Sequence, residues 1–139
     1  MPVLHDSPNA WVAEHIRRFQ ETGGRPRPDV NDLLLTTRGR RTGELRRTAL
    51  VYQHDSDRYV LAASNNGADH HPAWYLNLLA DPSVTVQVGT DTFAAHARPA
   101  TEAERPQLWH LMVAATPQYA AYQQQTTREI PIVLLEPAR

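Results

Sequence analysis

Five arginines lie within ten residues of this chain, between two apolar segments. They are Arg38, Arg40, Arg41, Arg46 and Arg47. Guanidinium groups bind phosphate and carboxylate through two parallel hydrogen bonds, and Gly39 and Gly43 let the backbone bend close to a ligand. The same stretch contains a single acidic residue, Glu44. It therefore predicts an anion-binding turn, with a solvated hairpin tip as the alternative.

A second candidate for anion binding is the polar loop Ser64, Asn65, Asn66 and Gly67, which follows an apolar segment. Such a loop can turn successive backbone N–H groups toward an anion, although most loops of this composition are plain turns. His70 and His71 come shortly afterwards. They do not predict a metal site, because adjacent side chains point apart and no helical i, i+4 pair of histidines or acids lies nearby.

Three aromatic residues could form the walls of a pocket for a flat ligand. Trp74 follows the polar loop, and Tyr119 and Tyr122 lie three residues apart on one face of a predicted helix. Packing against the core is the alternative for each of them. The sequence has no nucleophile elbow for a serine triad, no spaced pair of carboxylates for hydrolysis and no cysteine. Hydrolytic and thiol chemistry are therefore not indicated.

Composition excludes several classes of protein. The chain has 139 residues, a formal net charge of -1 and a pI near 6.6, whereas nucleic-acid-binding domains are usually basic overall. It contains no apolar run of about 18 residues, the length that predicts a membrane span, and its N-terminus does not read as a signal peptide. We therefore expect no nucleic-acid partner, no membrane span and a cytoplasmic location.

The elements that must position these residues are short. Ser7 and Pro8 begin a predicted helix that ends at Gly23 and Gly24. Six strands are predicted at 33–37, 47–54, 58–63, 83–88, 92–98 and 130–135. Three further helices are predicted at 72–80, 101–115 and 117–125, and the one at 101–115 begins with a capping box from Thr101 to Glu104.

Short strands joined by tight turns favour a mainly β fold with flanking helices (α+β), a small barrel of about six antiparallel strands. We expect a single domain over residues 1–139. It comprises an N-terminal helix and connector at 1–30 and a barrel at 31–137. No GxGxxG sequence follows a strand, so a dinucleotide-binding Rossmann unit is not predicted.

Taken together, three stretches resemble the deazaflavin-dependent nitroreductase family, which is mainly actinobacterial. They are LLLTTRGRRTGELRRTALVY at 33–52, YVLAASNNGADHHPAWYLNLLADPSVTVQV at 59–88 and PQYAAYQQQTTREIPIVLLEP at 117–137. The resemblance implies a split β-barrel like that of flavin reductases and pyridoxamine oxidases. It also implies binding of coenzyme F-420 (8-hydroxy-5-deazaflavin), which carries a phosphate and an oligoglutamate tail and donates hydride in its reduced form.

The resemblance also implies roles for individual residues. Arg41 and Arg46 would bind the phosphate, with Arg40 and Arg47 close enough to help. Thr48 would lie along the ribityl chain. Ser64, Asn65, Asn66 and Gly67 would line the phosphate and ring side, and Trp74 and Asn77 the ring pocket. Tyr119 and Tyr122 would face the substrate as catalytic residues.

The implied activity is an oxidoreductase that passes hydride to an electron-poor acceptor such as a quinone, an enone or a nitroaromatic. Thr116 occupies the position where nitroimidazole-reducing members have a tyrosine, so quinones and enones are the expected acceptors. Two alternatives stay open: a split-barrel reductase that uses FMN, and a non-catalytic carrier of the deazaflavin. We expect a monomer or homodimer, free in the cytoplasm or held peripherally at the inner face of the membrane.

Overall fold

The computed structural model describes residues 4–27 and 29–138 of the chain. Eight strands occur in this part: β1 (Leu4–Asp6), β2 (Asp32–Arg38), β3 (Leu45–Val51), β4 (Gln53–Asp55), β5 (Arg58–Ala62), β6 (Ser83–Val88), β7 (Asp91–Pro99) and β8 (Ile132–Pro137). The α-helices are α1 (Ala10–Glu21), α2 (Ala73–Ala80), α3 (Arg105–Ala115) and α4 (Gln118–Gln125). A short 3₁₀ turn covers Asn65–Gly67.

The strands form one sheet in the order β1-β3-β2-β6-β7-β8-β5-β4. β3 lies next to one end of this order and β4 lies at the other end, yet a single residue, Tyr52, separates the two strands along the chain. The sheet must therefore curl until its ends approach each other, which gives a barrel. The predicted mainly β fold with flanking helices is confirmed.

The sheet has two more strands than the six that the sequence predicts. The segment predicted as a strand at 47–54 is divided at Tyr52 into β3 and β4. β1 lies in the part of the chain predicted as helix and connector, and it pairs in parallel with β3, from Leu4 opposite Leu45 to Asp6 opposite Arg47. A three-residue strand whose partner is distant along the chain has no local periodicity that would reveal it. The division into segments 1–30 and 31–137 stays a prediction.

Apolar side chains pack on both faces of β2. Leu33 and Leu35 belong to the cluster inside the barrel, whereas Leu34 packs outside it against Ile16 and Phe19 of α1. Side chains alternate between the two faces of a strand, so a strand covered on both faces reads as a continuous apolar run. α1 is thereby fixed to the outer wall of the barrel.

α3 and α4 cover another part of the outer wall. Leu108 and Met112 of α3 and Tyr119 of α4 pack with Val60 and Ile132 of the sheet. Fully burying an aliphatic side chain of this kind contributes about 1.5–3 kcal/mol. This packing fixes α4, which carries both tyrosines predicted to face a substrate.

Two helix starts test the sequence-based capping predictions. Thr101 and Glu104 make the reciprocal bonds of the predicted capping box: the Thr101 N–H donates to Glu104 Oε1 at 2.8 Å and the Glu104 N–H donates to Thr101 Oγ1 at 3.2 Å. They close the turn before α3, which begins at Arg105 rather than at the predicted residue 101. At α1 the cap is Asn9 rather than Ser7, because Asn9 Oδ1 accepts from the N–H groups of Trp11 and Val12. Ser7 Oγ instead accepts from the Asn9 N–H at 3.3 Å.

Replacing Glu104 by glutamine should lower the free energy of unfolding at neutral pH. The free energy of unfolding of the variant should then fall less than that of the wild type as the pH drops. Hydrogen bonds from Arg98, Thr101 and Arg58 hold the pKa of the Glu104 carboxyl well below its ordinary range. A carboxyl whose pKa is depressed on folding stabilises the protein above its unfolded pKa of about 4.3, and this contribution disappears as pH falls further. Urea-unfolding free energies between pH 7 and pH 2.5 measure it. The neighbouring Glu102→Gln is the control, and identical pH profiles for wild type and Glu104→Gln would contradict the prediction.

Candidate functional site

A cavity of about 450 Å³ opens between the β2–β3 turn, the segment before α1 and the start of α2. This volume falls within the range of small-molecule sites, about 300–1,000 Å³. Its lining includes seven residues predicted from the sequence: Arg40, Arg41, Arg46, Arg47, Thr48, Trp74 and Asn77. Ser7, Pro8, Thr37, Gly39, Thr42 and Ala73 complete the wall. The structure thus brings together the arginine turn and the residues of α2 that the sequence assigns to one site.

Two arginines of the cavity are paired with carboxylates of the same chain. Arg47 forms a two-pronged ion pair with Asp6 of β1, with Nε to Oδ1 at 2.6 Å and Nη2 to Oδ2 at 3.1 Å. Arg46 Nη2 donates to Glu44 Oε2 at 3.1 Å, and both side chains are well exposed. Much of the positive charge of Arg46 and Arg47 is therefore compensated within the protein.

The charges of Arg40 and Arg41 are not compensated in this way. Arg40 Nη1 donates to Asn77 Oδ1 at 2.9 Å, and this amide oxygen carries no formal charge. The Arg41 side chain has no hydrogen bond or ion pair with any residue that the structure describes, although it lines the cavity. These two guanidinium groups form the part of the cavity wall best suited to bind an anionic group from solution.

Asn77 holds the arginine turn against α2. Its side chain is almost fully buried. Its Oδ1 accepts from the Arg40 N–H at 3.2 Å as well as from the guanidinium, and its Nδ2 donates to Thr37 Oγ1 at 3.2 Å. The sequence assigns Asn77 to the wall of a ring pocket, and the structure adds that its amide fixes the position of Arg40.

Replacing Asn77 by leucine should destabilise the protein by about 1–3 kcal/mol, because the buried Thr37 Oγ1 loses its donor and the Arg40 N–H groups lose their acceptor. Asn77→Asp keeps an oxygen in the place of Oδ1 and should retain the contact with Arg40. Urea-unfolding free energies of the two variants measure the difference. Equal stability of Asn77→Leu and wild type would show that the amide does not hold the turn.

The loop at 64–67 has the backbone conformation of an anion-binding nest. The backbone of Ser64 lies in the right-handed helical region, with φ -74° and ψ -33°. The next three residues lie at positive φ, with values of 48°, 55° and 78°. A right-handed residue followed by left-handed ones turns successive N–H groups toward one point. Gly67 N–H donates to Ser64 O, but the N–H groups of Asn65 and Asn66 donate no hydrogen bond within residues 4–27 and 29–138. This backbone conformation suits anion binding, and the binding itself stays a prediction.

This loop lies against α4 and does not line the arginine cavity. A Cβ at Gly67 would lie 2.6 Å from Gln125 Nε2 and 3.1 Å from Tyr122 Cα. The close approach and the positive φ together require glycine at 67. Ser64, Asn65, Asn66 and Gly67 therefore form a second cluster, separate in the lining from the arginines with which the sequence groups them.

The two tyrosines of α4 differ in their surroundings. Tyr119 is 8% exposed and packs in the apolar cluster beneath α3 and α4. Burial raises the pKa of its hydroxyl, and the neighbouring Tyr122 adds to the shift. Tyr122 is half-buried at the edge of the same cluster, with its backbone beside Gly67. Neither tyrosine lines the arginine cavity, and their catalytic role stays a prediction.

Sequence reasoning missed Arg128, which contacts the second cluster from the connector before β8. Its guanidinium donates to the backbone oxygens of Ala63, Ser64 and Ala68. These partners lie between 60 and 65 residues earlier in the chain, so no local pattern could reveal the contact. Ser7 and Pro8 were missed as cavity residues for the same reason, since β1 places them there.

His71 contacts Arg128 rather than a group of potential metal ligands. Its Nδ1 lies 3.1 Å from Arg128 Nη1, and burial followed by the charge of Arg128 lowers its pKa. Within residues 4–27 and 29–138, no three histidines, cysteines or acids gather where they could hold a metal ion. The helices described there include none long and apolar enough to cross a membrane.

Comparison with known proteins gives concordant matches. The sequence model of the family described as F420H(2)-dependent quinone reductase matches residues 11–137. A protein named F420H(2)-dependent quinone reductase from Mycobacterium tuberculosis is 38% identical over 106 residues, which are 74% of this chain and 71% of the relative.

Solved structures agree with this match. A structure described as an F420-H2 dependent reductase is 37% identical, with a TM-score of 0.70 over 76% of this chain and 94% of the other. Another, described as a domain-swapped dimer, is 37% identical, with a TM-score of 0.73 over 94% of this chain and 100% of the other. A pyridoxamine 5'-phosphate oxidase-like protein of Listeria innocua shares 10% identity with a TM-score of 0.56, over 91% of this chain and 93% of the other. The predicted split-barrel fold is confirmed.

Proposed function

Because this chain belongs to the F420H(2)-dependent quinone reductase family, we propose that its arginine-lined cavity binds the deazaflavin coenzyme for the reduction of a quinone. The predicted relationship to the deazaflavin-dependent reductases is confirmed, and with it the oxidoreductase class. The deazaflavin is accordingly favoured over FMN, and a reductase over a non-catalytic carrier.

One observation carries the assignment of the cavity. Arg40 and Arg41 present guanidinium groups without a carboxylate partner to a space of about 450 Å³ that Trp74 also lines. The phosphate and glutamate carboxylates of the coenzyme are anionic, and a guanidinium fork matches such groups. Trp74 offers an aromatic face beside the cations, and Thr48 and Asn77 supply polar groups in the same wall. The donors present therefore suit an anionic ligand with a flat ring.

The loop at 64–67 supplies a second set of donors. We assign the N–H groups of Asn65 and Asn66 to the phosphate or ring side of the coenzyme, because they have no hydrogen-bond partner in the described part of the chain and Asn66 is exposed. Arg46 and Arg47 are assigned to a supporting role, since Glu44 and Asp6 already neutralise much of their charge.

The bound, reduced coenzyme supplies the hydride, and the protein supplies binding, orientation and shielding from water. Tyr119 and Tyr122 are proposed to face the acceptor. A hydroxyl there would donate a hydrogen bond to the quinone oxygen as negative charge develops on it. The half-buried Tyr122 is the better placed of the two, because Tyr119 is packed into the core.

The experiment that tests this function compares cofactors and acceptors with the purified protein. Fluorescence titration should show binding of the oxidised deazaflavin that weakens as salt rises, since screening reduces attraction between exposed charges. Coenzyme oxidation followed by absorbance should be faster with a naphthoquinone or an enone than with a bicyclic nitroimidazole, because Thr116 replaces the tyrosine of nitroimidazole-reducing members. Tighter binding of FMN, or coenzyme binding without turnover of any acceptor, would overturn the proposal in favour of one of the two alternatives.

We extend the proposal to assembly and location. The relative described as a domain-swapped dimer covers 94% of this chain, so a homodimer is proposed and light scattering after size exclusion tests it. A cytoplasmic location, free or peripherally at the membrane, is proposed from the sequence. Fractionation of cells that express the protein would distinguish the two states.

A further inference from the structure

We propose that Arg128 is a positioning residue that builds the anion-binding conformation of the loop at 64–67. The proposal rests on the proposed function in one respect, namely that this loop contacts the coenzyme. Arg128 itself is assigned no contact with the coenzyme or the acceptor. It acts through the backbone of residues 63–68, because its guanidinium donates hydrogen bonds to carbonyl oxygens of this segment.

The contacts of Arg128 are those of a clamp on this backbone. Its Nε donates to Ala68 O at 2.8 Å, its Nη2 to Ser64 O at 2.7 Å and its Nη1 to Ala63 O at 3.3 Å. One guanidinium thus holds the loop before its left-handed residues and after them. The planar fork fixes the directions of all three bonds, which the ammonium of a lysine could not do.

The direction of these carbonyl groups determines the direction of the neighbouring N–H groups. Each peptide unit is planar, with its C=O and N–H pointing in opposite directions. Drawing the Ser64 carbonyl toward Arg128 therefore turns the Asn65 N–H away from it, toward the outer side of the loop. Non-glycine residues rarely adopt positive φ, yet Asn65 and Asn66 both do so here. The clamp provides the external contacts that such a strained loop requires.

The charge of Arg128 adds to this effect. The side chain is half-buried, and no carboxylate lies within ion-pair distance of it in the described part of the chain. Its acceptors are neutral carbonyls together with His71 Nδ1 at 3.1 Å. Burial lowers its pKa, and Asp69 acts in the opposite direction. A cation beneath the nest raises the positive potential at its outward N–H groups and favours an anion there.

The test uses Arg128→Met, which removes the clamp, and Arg128→Lys, which keeps the charge but not the fork. Arg105→Met is the matched control, because Arg105 is also half-buried and donates to a backbone oxygen, that of Ile130 at 2.6 Å, without touching the loop. The measurements are deazaflavin binding, hydrogen exchange of the amides at 64–68 and the melting temperature.

We expect both Arg128 variants to bind the coenzyme about tenfold more weakly, as for loss of a hydrogen bond to a charged group. Within 64–68, exchange should rise at the amides of Gly67 and Ala68, which donate to Ser64 O and Asn65 O, while the barrel strands stay protected. The kcat at saturating coenzyme should change by less than about threefold, because no reacting atom is touched.

The outcomes separate a positioning role from a merely structural one. Arg105→Met should melt earlier yet bind the coenzyme as wild type does. If the Arg128 variants also melt earlier but keep wild-type affinity and loop protection, the inference is overturned. Should Arg128→Met fail to fold, Arg128→Lys decides by the same criteria. Absence of coenzyme binding by the wild type would overturn the proposed function instead, and exchange at 64–68 in the variants would still decide whether Arg128 orders the loop.

Discussion

Replacement of Arg41 by alanine is expected to weaken deazaflavin binding by about 1.5–3 kcal/mol, the range for hydrogen bonds to charged groups. This corresponds to an increase in Kd of about 10- to 150-fold. Arg41 lines the cavity and has no partner among the residues that the structure describes. Its removal should therefore leave the melting temperature almost unchanged, since no native contact is lost. The measurements are a binding isotherm and a thermal melt on the same preparation.

Two comparisons make this experiment specific. Arg18→Ala, on the exposed side of α1 and outside the cavity, removes the same charge and should change neither quantity. Arg46→Ala should also weaken binding and leave folding nearly unchanged. Arg47→Ala should lower stability more than Arg41→Ala does, because it leaves Asp6 without its ion-pair partner. A normal Kd for Arg41→Ala would show that the ligand anion does not lie at this part of the wall.

The arginine turn could be predicted because its signal is local. Five guanidinium groups, two glycines and flanking apolar strands occur within one hairpin, and a β2–β3 hairpin brings them together without contacts from elsewhere. Which of these arginines form ion pairs with carboxylates could not be predicted in the same way. Arg47 is neutralised by Asp6, which is 41 residues away and belongs to a strand without a periodic pattern.

The division of the predicted site into two clusters has the same cause. Trp74 and Asn77 reach the arginine cavity because α2 packs beside β2. The loop at 64–67, although closer along the chain to α2 than to any other helix, packs against α4. Spacing along the chain shows that a loop is polar and can bend, but it does not show which helix will cover it. Arg128 illustrates this limit, since its guanidinium donates to backbone oxygens 60 to 65 residues earlier in the chain.

Mutating Tyr122 to phenylalanine is expected to lower kcat for quinone reduction by up to about a hundredfold, as for loss of a donor that stabilises developing negative charge. Coenzyme Kd should stay within a factor of about two or three, because the ring and its packing remain. Tyr119→Phe should have the smaller effect, since Tyr119 is buried in the apolar cluster beneath α3 and α4. Steady-state rates at saturating coenzyme, followed by absorbance, give the comparison.

Tyr59→Phe is the control for removal of a tyrosine hydroxyl. Tyr59 lies on β5 and packs against Tyr52 and Phe93, away from both clusters of the site. Its replacement should leave kcat and Kd unchanged. A drop in kcat confined to Tyr122→Phe would place the acceptor beside the loop at 64–67, because Gly67 lies against the Tyr122 backbone. Wild-type rates for both α4 variants would instead place the acceptor on another wall and leave the two tyrosines with a packing role.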